Sequence, residues 1–218
     1  GDRELNLHFI GHACFLISSA DGTRLLIDPF QPRAFNGRIR LEPHSSPVDA
    51  VISTHSHLDH RHIDPSFGSP LVFEGPGQIH GIDIDCIKLP HGAPEGKDHG
   101  LVRAFRINVD GISIVHLGDA GRIPSDAEMQ ALGRPDILLL PIGGRFSLDP
   151  IQAAQLVRSW RPAFAVPMHY QDPLVDITLR PLSEFTDQFD GFVTVSGDFT
   201  INAVDRGRPP IILVIRRA

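Results

Sequence analysis

The chain has 218 residues, of which 41% are hydrophobic and 21% charged, proportions that exclude a disordered, collagen-like or coiled-coil protein. Its 20 Lys and Arg against 26 Asp and Glu leave a formal net charge of −6, which argues against a general nucleic-acid binder or a binder of anionic membranes. No apolar run approaches the roughly 20 residues that a membrane helix needs, and a chain of this size suits one large domain over residues 1–218 with a folded surface of about 9,900 Å².

Gly1 to Leu7 carries charges but no apolar segment of the kind a secretory signal contains, so a cytoplasmic location is expected. Strand patterns follow at Leu5–Ile10, Cys14–Ser18 and Arg24–Asp28, with the turn dipeptide Asp21-Gly22 between the last two. Residues Phe30–Pro47 fit no element. Further strands are expected at Ala50–Ser53, Leu71–Glu74 and Ile84–Leu89. Val102–Val109 and Ile112–Leu117 flank Asp110-Gly111, a dipeptide suited to a tight hairpin. Pro124–Leu132 reads as a helix that starts on proline, carries Asp126 and Glu128 early, and stops at Gly133. After a strand at Ile137–Pro141, Asp149 and Pro150 look like the cap and first position of a helix over Ile151–Trp160. Its apolar stripe is expected on Ile151, Ala154, Gln155 and Val157 to Arg158. Strands at Ala163–Pro167, Phe192–Val195 and Ile211–Ile215 close the pattern, with a weak helix at Ser183–Phe189 and a second unassigned stretch at Tyr170–Leu182. Long loops beside motifs are often functional. Cys14 and Cys86 are too few for a disulfide framework and read as free thiols.

The 12 histidines cluster at element ends. Thr54-His55-Ser56-His57-Leu58-Asp59-His60 directly follows an apolar strand and sets four ligand-type side chains in a very short span. In extended backbone, residues two apart point the same way, so His55 and His57 can reach one ion together. If the chain then turns into a helix, Asp59 and His60 project elsewhere and can serve a second ion. Four such groups would repel one another when protonated, which favours metal ligation over a solvated loop. His62 and Asp64 lack this spacing and suit a surface loop or a helix cap. Neither His8 nor His44 carries a functional expectation.

The His-x-His-x-Asp-His run after a strand resembles the signature of the metallo-β-lactamase fold, and the likeness extends over nearly the whole chain. Leu25-Leu26-Ile27-Asp28-Pro29 is similar to that family's first motif, a strand ending in a structural aspartate beneath the site. Gly11-His12-Ala13-Cys14-Phe15 resembles the Gly-His-Ser start of the branch containing ascorbate phosphate lactonase, with Ala13 in place of serine. His91 fits the third motif better than His80 or His99, because it alone sits directly at a strand end. Leu117-Gly118-Asp119 resembles the fourth motif and Pro167-Met168-His169 the fifth. The resemblance implies a four-layer αββα sandwich of the α/β class. It also implies one divalent ion held by His55, His57 and His91, a second held by Asp59, His60 and His169, and Asp119 shared between them. These N and O donors suit zinc best, with manganese or iron as alternatives. His12 and His116 are either satisfied core histidines or groups that orient a ligand.

Two divalent ions, two aspartates and a bridging hydroxide would leave the site at about +1, favouring anionic substrates. A metal-bound hydroxide is a nucleophile at neutral pH, so hydrolysis is the expected reaction, with Asp59 and Asp119 at its centre and Tyr170 as a candidate donor to the developing charge. The substrate expected is a small ester, lactone or amide. A phosphodiesterase of the same fold is the alternative, and a metal-binding regulatory protein without turnover is the second. Arg33, Arg38, Arg40, Arg61, Arg122, Arg145 and Arg180 lie near motifs or in the unassigned loops, where guanidinium groups can grip a phosphate or carboxylate. Solvated surface charge is the competing reading for most of them. Neither nucleic acid nor membrane is expected as a partner, and the sequence is silent on oligomeric state.

Overall fold

The computed structural model describes residues 4–57, 59–91 and 100–217; His99, one of the alternatives for the third motif, lies outside them. Two mixed sheets stack face to face. The first contains β1 (Leu5–Gly11), β2 (Cys14–Ser18), β3 (Arg24–Ile27), β4 (Ala50–Ile52), β5 (Leu71–Phe73) and β13 (Asp198–Ile201), in the order β13-β1-β2-β3-β4-β5. The second contains β6 (Gly77–Ile79), β7 (Ile82–Pro90), β8 (Leu101–Val109), β9 (Ile112–His116), β10 (Ile137–Pro141), β11 (Phe164–Met168), β12 (Val193–Ser196) and β14 (Ile211–Arg216). Its order is β12-β14-β11-β10-β9-β8-β7-β6. The accessible surface is 9842 Å², close to the area expected from the chain's mass.

Alternation in β1 sends Leu5, Leu7 and Phe9 inward, where they meet Phe15, Leu25, Ile27, Phe105, Ile107, Leu139 and Met168 in the core between the sheets. Burying each such side chain contributes about 1.5–3 kcal/mol against leaving it in water. Strand β10 is apolar on both faces and lies between parallel neighbours β9 and β11, which explains its unbroken Ile-Leu-Leu-Leu run. Its outward residues Leu138 and Leu140 pack under helices α2 (Asp126–Leu132) and α3 (Pro150–Trp160). The outer face of the first sheet is covered differently. Leu16, Leu26 and Val51 are sealed by Phe30, Ile39, Leu41, Phe67 and Val175, which come from loops, a 3-10 turn at Pro65–Phe67 and a single helical turn, α1 (Ala34–Gly37). The αββα architecture therefore holds, with its outer layer on this side made chiefly of loop.

Local chemistry accounts for several details. Asp110 and Gly111 both adopt positive φ, 53° and 74°, as a two-residue hairpin between β8 and β9 requires. Helix α2 begins two residues later than the proline suggested: Ser125 caps it and Glu128 accepts from the Ser125 N–H, a reciprocal pairing that outweighs proline at the start. Asp149 and Gln152 form the same device on α3. The buried face of α3 is Ala153, Ala154, Leu156, Val157 and Trp160, whereas Ile151 is 58% exposed and Gln155 and Arg158 face solvent. The expected stripe was displaced because Ala153 and Trp160 outcompete Ile151 for the sheet. The weak helix after Pro181 shortens to α4 (Ser183–Thr186). Strands β6 and β13 have no counterpart among the expected elements, being only three and four residues long and starting on Gly and Asp, residues poor in strand signal. No helix among the described residues is long and apolar enough to cross a membrane, and Cys14 and Cys86 are unpaired.

Candidate metal centre

The ligand-type residues gather where strands of both sheets end. Asp28 follows β3, Thr54 to His60 follow β4, His91 follows β7, Asp119 follows β9, and His169 follows β11. His12 sits in the β1–β2 turn, and its carbonyl accepts the His169 N–H at 2.8 Å, which joins the two sheets at this edge. Gly143, after β10, passes so close that a Cβ there would lie 2.2 Å from the His169 carbonyl oxygen. Only glycine permits that approach.

After His57 the chain does not become the expected helix. The His60 and Arg61 N–H groups both donate to the His57 carbonyl, giving one turn before the chain leaves, yet this suffices to re-aim Asp59 and His60. Two groupings result. Ligand atoms of His55, His57 and His91 lie within 4.8 Å of one another, and so do those of His12, Asp59, His60 and His169. Asp119 stands between them: Oδ2 is 3.3 Å from His91 Nε2, 3.6 Å from His55 Nε2 and 3.1 Å from His60 Nε2, while Oδ1 is 3.3 Å from His169 Nε2. All are buried except His57, which lines the mouth of the cavity.

Hydrogen bonds behind the cluster set which nitrogen faces it. Asp28, wholly buried, accepts from the Thr54 N–H at 2.8 Å, the Thr54 hydroxyl at 2.6 Å and His60 Nδ1 at 2.7 Å. With its hydroxyl proton committed to Asp28, Thr54 Oγ1 can only accept from His55 Nδ1, 2.9 Å away. Both rings are thereby held with Nε2 toward the centre and, in their neutral form, unprotonated there. Asp28 also lies near enough to His55 and His60 to count as a third grouping, but its oxygens are already occupied. The Ser53 hydroxyl donates to the His55 carbonyl at 2.8 Å and steadies the same loop. His12 Nε2 contacts Asp59 Oδ2 at 2.8 Å, so His12 orients a carboxylate. His116 donates from Nε2 to the Ala13 carbonyl and accepts the Gly118 N–H at Nδ1; it is a satisfied core histidine that pins the turn carrying Asp119.

The buried nitrogens His55 Nε2, His60 Nε2 and both ring nitrogens of His169, together with Asp119 Oδ1, make no hydrogen bond. Each such atom costs about 1–3 kcal/mol when nothing compensates it, and their convergence on carboxylate oxygens is the donor set of a cation site. Electrostatics agree. Burial, with help from the neighbouring His60, lowers the His55 pKa to about 3 and keeps that ring neutral. Burial opposes ionisation of Asp119, but His169 and His60 outweigh it and hold the carboxyl well below the usual range. Burial likewise opposes a charge on His60, yet Asp119, Asp59 and Asp28 overcome it and raise that pKa well above the ordinary value. A proton and a metal ion thus compete for one position among three carboxylates.

Tyr170 is not part of this centre. His169 takes a positive φ of 55°, and the tyrosine beyond it packs against the cores on both faces of the second sheet instead of lining the cavity. Its pKa is pushed up to about 12 by burial. The structure does not bring Tyr170, expected as a donor to the reaction, together with this cluster. His80 bonds the Thr23 hydroxyl at 3.0 Å and is in none of the ligand groupings, and Asp64 caps the Pro65–Phe67 turn through the Ser66 N–H. Residues that sequence reasoning gave no role include Thr54 and the cavity lining Phe35, Phe146, Asp176 and Ile177. Loop side chains of this kind carry no periodicity from which they can be read.

Two stacked mixed sheets with a His and Asp cluster at their shared edge define a metallohydrolase of the β-lactamase-like class. The family model described as the beta-lactamase superfamily domain matches residues 6–169. A UPF0173 metal-dependent hydrolase of Thermococcus kodakarensis is 29% identical over 85% of this chain and 90% of its own length. Another, from Thermoplasma acidophilum, is 31% identical over 77% of this chain and 84% of its own. Among solved structures, a metallo-β-lactamase superfamily protein from Thermotoga maritima superposes with a TM-score of 0.77 at 22% identity, covering 98% of this chain and all of that one. The chain belongs to the metallo-β-lactamase superfamily and, within it, to the UPF0173 metal-dependent hydrolases.

Proposed function

We propose that this hydrolase is dinuclear and cleaves an ester, lactone or amide bond in a small anionic molecule. In this reading His55, His57 and His91 hold one divalent ion, Asp59, His60 and His169 hold the other, and Asp119 binds both. The observation that carries it is the position of the Asp119 carboxylate, with Oδ2 at 3.3 Å from His91 and Oδ1 at 3.3 Å from His169. Nitrogen and oxygen donors without sulfur favour zinc, with manganese or iron next. Divalent ions in such a set lower the pKa of a coordinated water from 15.7 to about 7 and polarise the oxygen of the bond under attack.

The protein's own groups supply the rest. Asp28 and Thr54 keep His55 and His60 in one tautomer, and His12 keeps Asp59 in place. A cavity of about 640 Å³ opens over Asp59, His91, Asp119 and His169, a volume suited to a small molecule. Unpaired Cys14 and Cys86 fit a reducing, cytoplasmic setting. The test is metal content of the purified protein by mass spectrometry, followed by turnover of a lactone, thioester, carboxylic ester, amide and phosphodiester panel. Two ions per chain and chelator-sensitive turnover of a carboxylic substrate support the proposal. Turnover of phosphodiesters alone would move the protein to the alternative reading, and two bound ions without turnover to a regulatory one.

A further inference from the structure

Seven arginines lie near the motifs or in the loops around them, and the structure divides them. Arg61, Arg122 and Arg180 are neutralised by Glu74, Glu128 and Glu184. Arg40 donates to the Pro173 carbonyl, and Arg33, ahead of α1, does not line the cavity. Only Arg38 and Arg145 line it among the described residues. No carboxylate among the described residues pairs with either one. The Arg38 side chain makes no hydrogen bond or ion pair among these residues, and Arg145 has its Cζ 4.8 Å from the centroid of the Phe146 ring. Stacking on an aromatic face holds a guanidinium flat and leaves its N–H edge free for a planar anion.

The two arginines belong to loops from opposite sheets, and each loop adds a ring. Phe35 lies three residues before Arg38 in the stretch after β3, and Phe146 directly follows Arg145 in the stretch after β10. Both rings line the same cavity, together with Ile177. The backbone is strained at both places. Phe35 and Arg145 adopt φ of 55° and 60°, a region disfavoured for bulky side chains. Phe35 is moreover 38% exposed, so burial of its own ring does not explain the strain. Strain persists where surrounding structure imposes it, and it concentrates at ligand clamps.

Resting on the hydrolase reading for the position of the reacting bond, we infer that Arg38 and Arg145 form an anion clamp and that Phe35, Phe146 and Ile177 form an apolar slot beside it. The substrate class is then an amphipathic anion: a carboxylate or phosphate separated by an apolar body from the bond to be cut. Asp176 lines the same rim with one negative charge, so the guanidinium groups outnumber it, and Asp59 and Asp119 face the metals.

Calorimetric titration of the zinc-loaded protein tests this, with 4-phenylbutyrate, 3-phenylpropylphosphonate, acetate and 4-phenylbutanol as probes. The clamp predicts that R38Q/R145Q weakens both phenyl-bearing anions and acetate at least tenfold without altering 4-phenylbutanol binding or zinc content. The slot predicts that F35A/I177A weakens 4-phenylbutanol and both phenyl-bearing anions at least tenfold and leaves acetate unchanged, since Phe146 and its stacking on Arg145 are kept. The tighter of the two phenyl-bearing anions identifies the head group as carboxylate or phosphate. Undetectable binding of both by the wild type, or unchanged affinity for them in R38Q/R145Q, overturns the clamp, because the anions would then be held by the metals alone. Neither result touches the hydrolase reading, which the ester and lactone panel decides.

Discussion

Replacing Asp28 with Asn isolates what a carboxylate behind the metal ligands contributes. The position has φ 48°, which asparagine tolerates almost as well as aspartate, so the backbone is not perturbed. What changes is the hydrogen bonding. Three donors converge on Asp28, two on Oδ2 and one on Oδ1, and none of its surface is exposed. An amide presents one oxygen and one NH2. With the NH2 at Oδ1 it confronts the Thr54 N–H. With the NH2 at Oδ2 it forces His60 to accept at Nδ1, which puts the proton on Nε2, the nitrogen aimed at Asp59 and Asp119. Loss of charge-assisted bonds plus one frustrated donor amounts to about 2–4 kcal/mol. For a chain of this length that is a fall in Tm of roughly 5–15 °C, and second partners of metal ligands typically contribute 10–100-fold in metal affinity. Zinc affinity by competition with a chromophoric chelator, and Tm by calorimetry with and without zinc, measure both effects. Wild-type zinc affinity in Asp28→Asn, with Tm within about 2 °C, would refute the proposed control of the His60 tautomer.

Asp119→Asn removes one negative charge and one oxygen from between the two groupings, so the ions should repel more strongly. Metal per chain should fall from two to one with loss of turnover, and retention of both ions would remove Asp119 from the bridging position. Tyr170→Phe should keep full turnover, because the ring belongs to the core; a tenfold loss would return it to the site. Arg217 donates to both oxygens of Asp172 at 2.6 and 2.8 Å. Burial alone would raise the Asp172 carboxyl, but these bonds outweigh it and hold the pKa below the ordinary value. The stability they add, about 1 kcal/mol, is therefore present above pH ~4 and lost as pH falls through the lowered pKa. Chemical denaturation of Arg217→Ala should show a deficit at pH 7 that shrinks below pH 4, and a deficit independent of pH would contradict the assignment.

Much of the centre was legible because its ligands are tied to strand ends. His55, His57, Asp59 and His60 fall close together in one loop, and the apolar run before them identifies the strand that delivers them. His91, Asp119 and His169 were expected from the resemblance to the family's third, fourth and fifth motifs, each at a strand end. Strands with apolar runs or clean alternation, such as Ile112–His116 and Ile137–Pro141, could also be read, since a buried sheet demands those residues wherever the chain later goes. The partners behind the ligands could not be read in this way. His60 meets Asp28 across 32 residues and His12 meets Asp59 across 47, and only the closing of one sheet on the other sets those distances. Tertiary structure also decided which arginines line the cavity, which face of α3 is buried, and that Tyr170 packs against the core although its neighbour His169 faces the His and Asp cluster. Each of these depends on competition among groups far apart in the chain for a limited buried volume. Local sequence states what a residue can do; packing decides which residue does it.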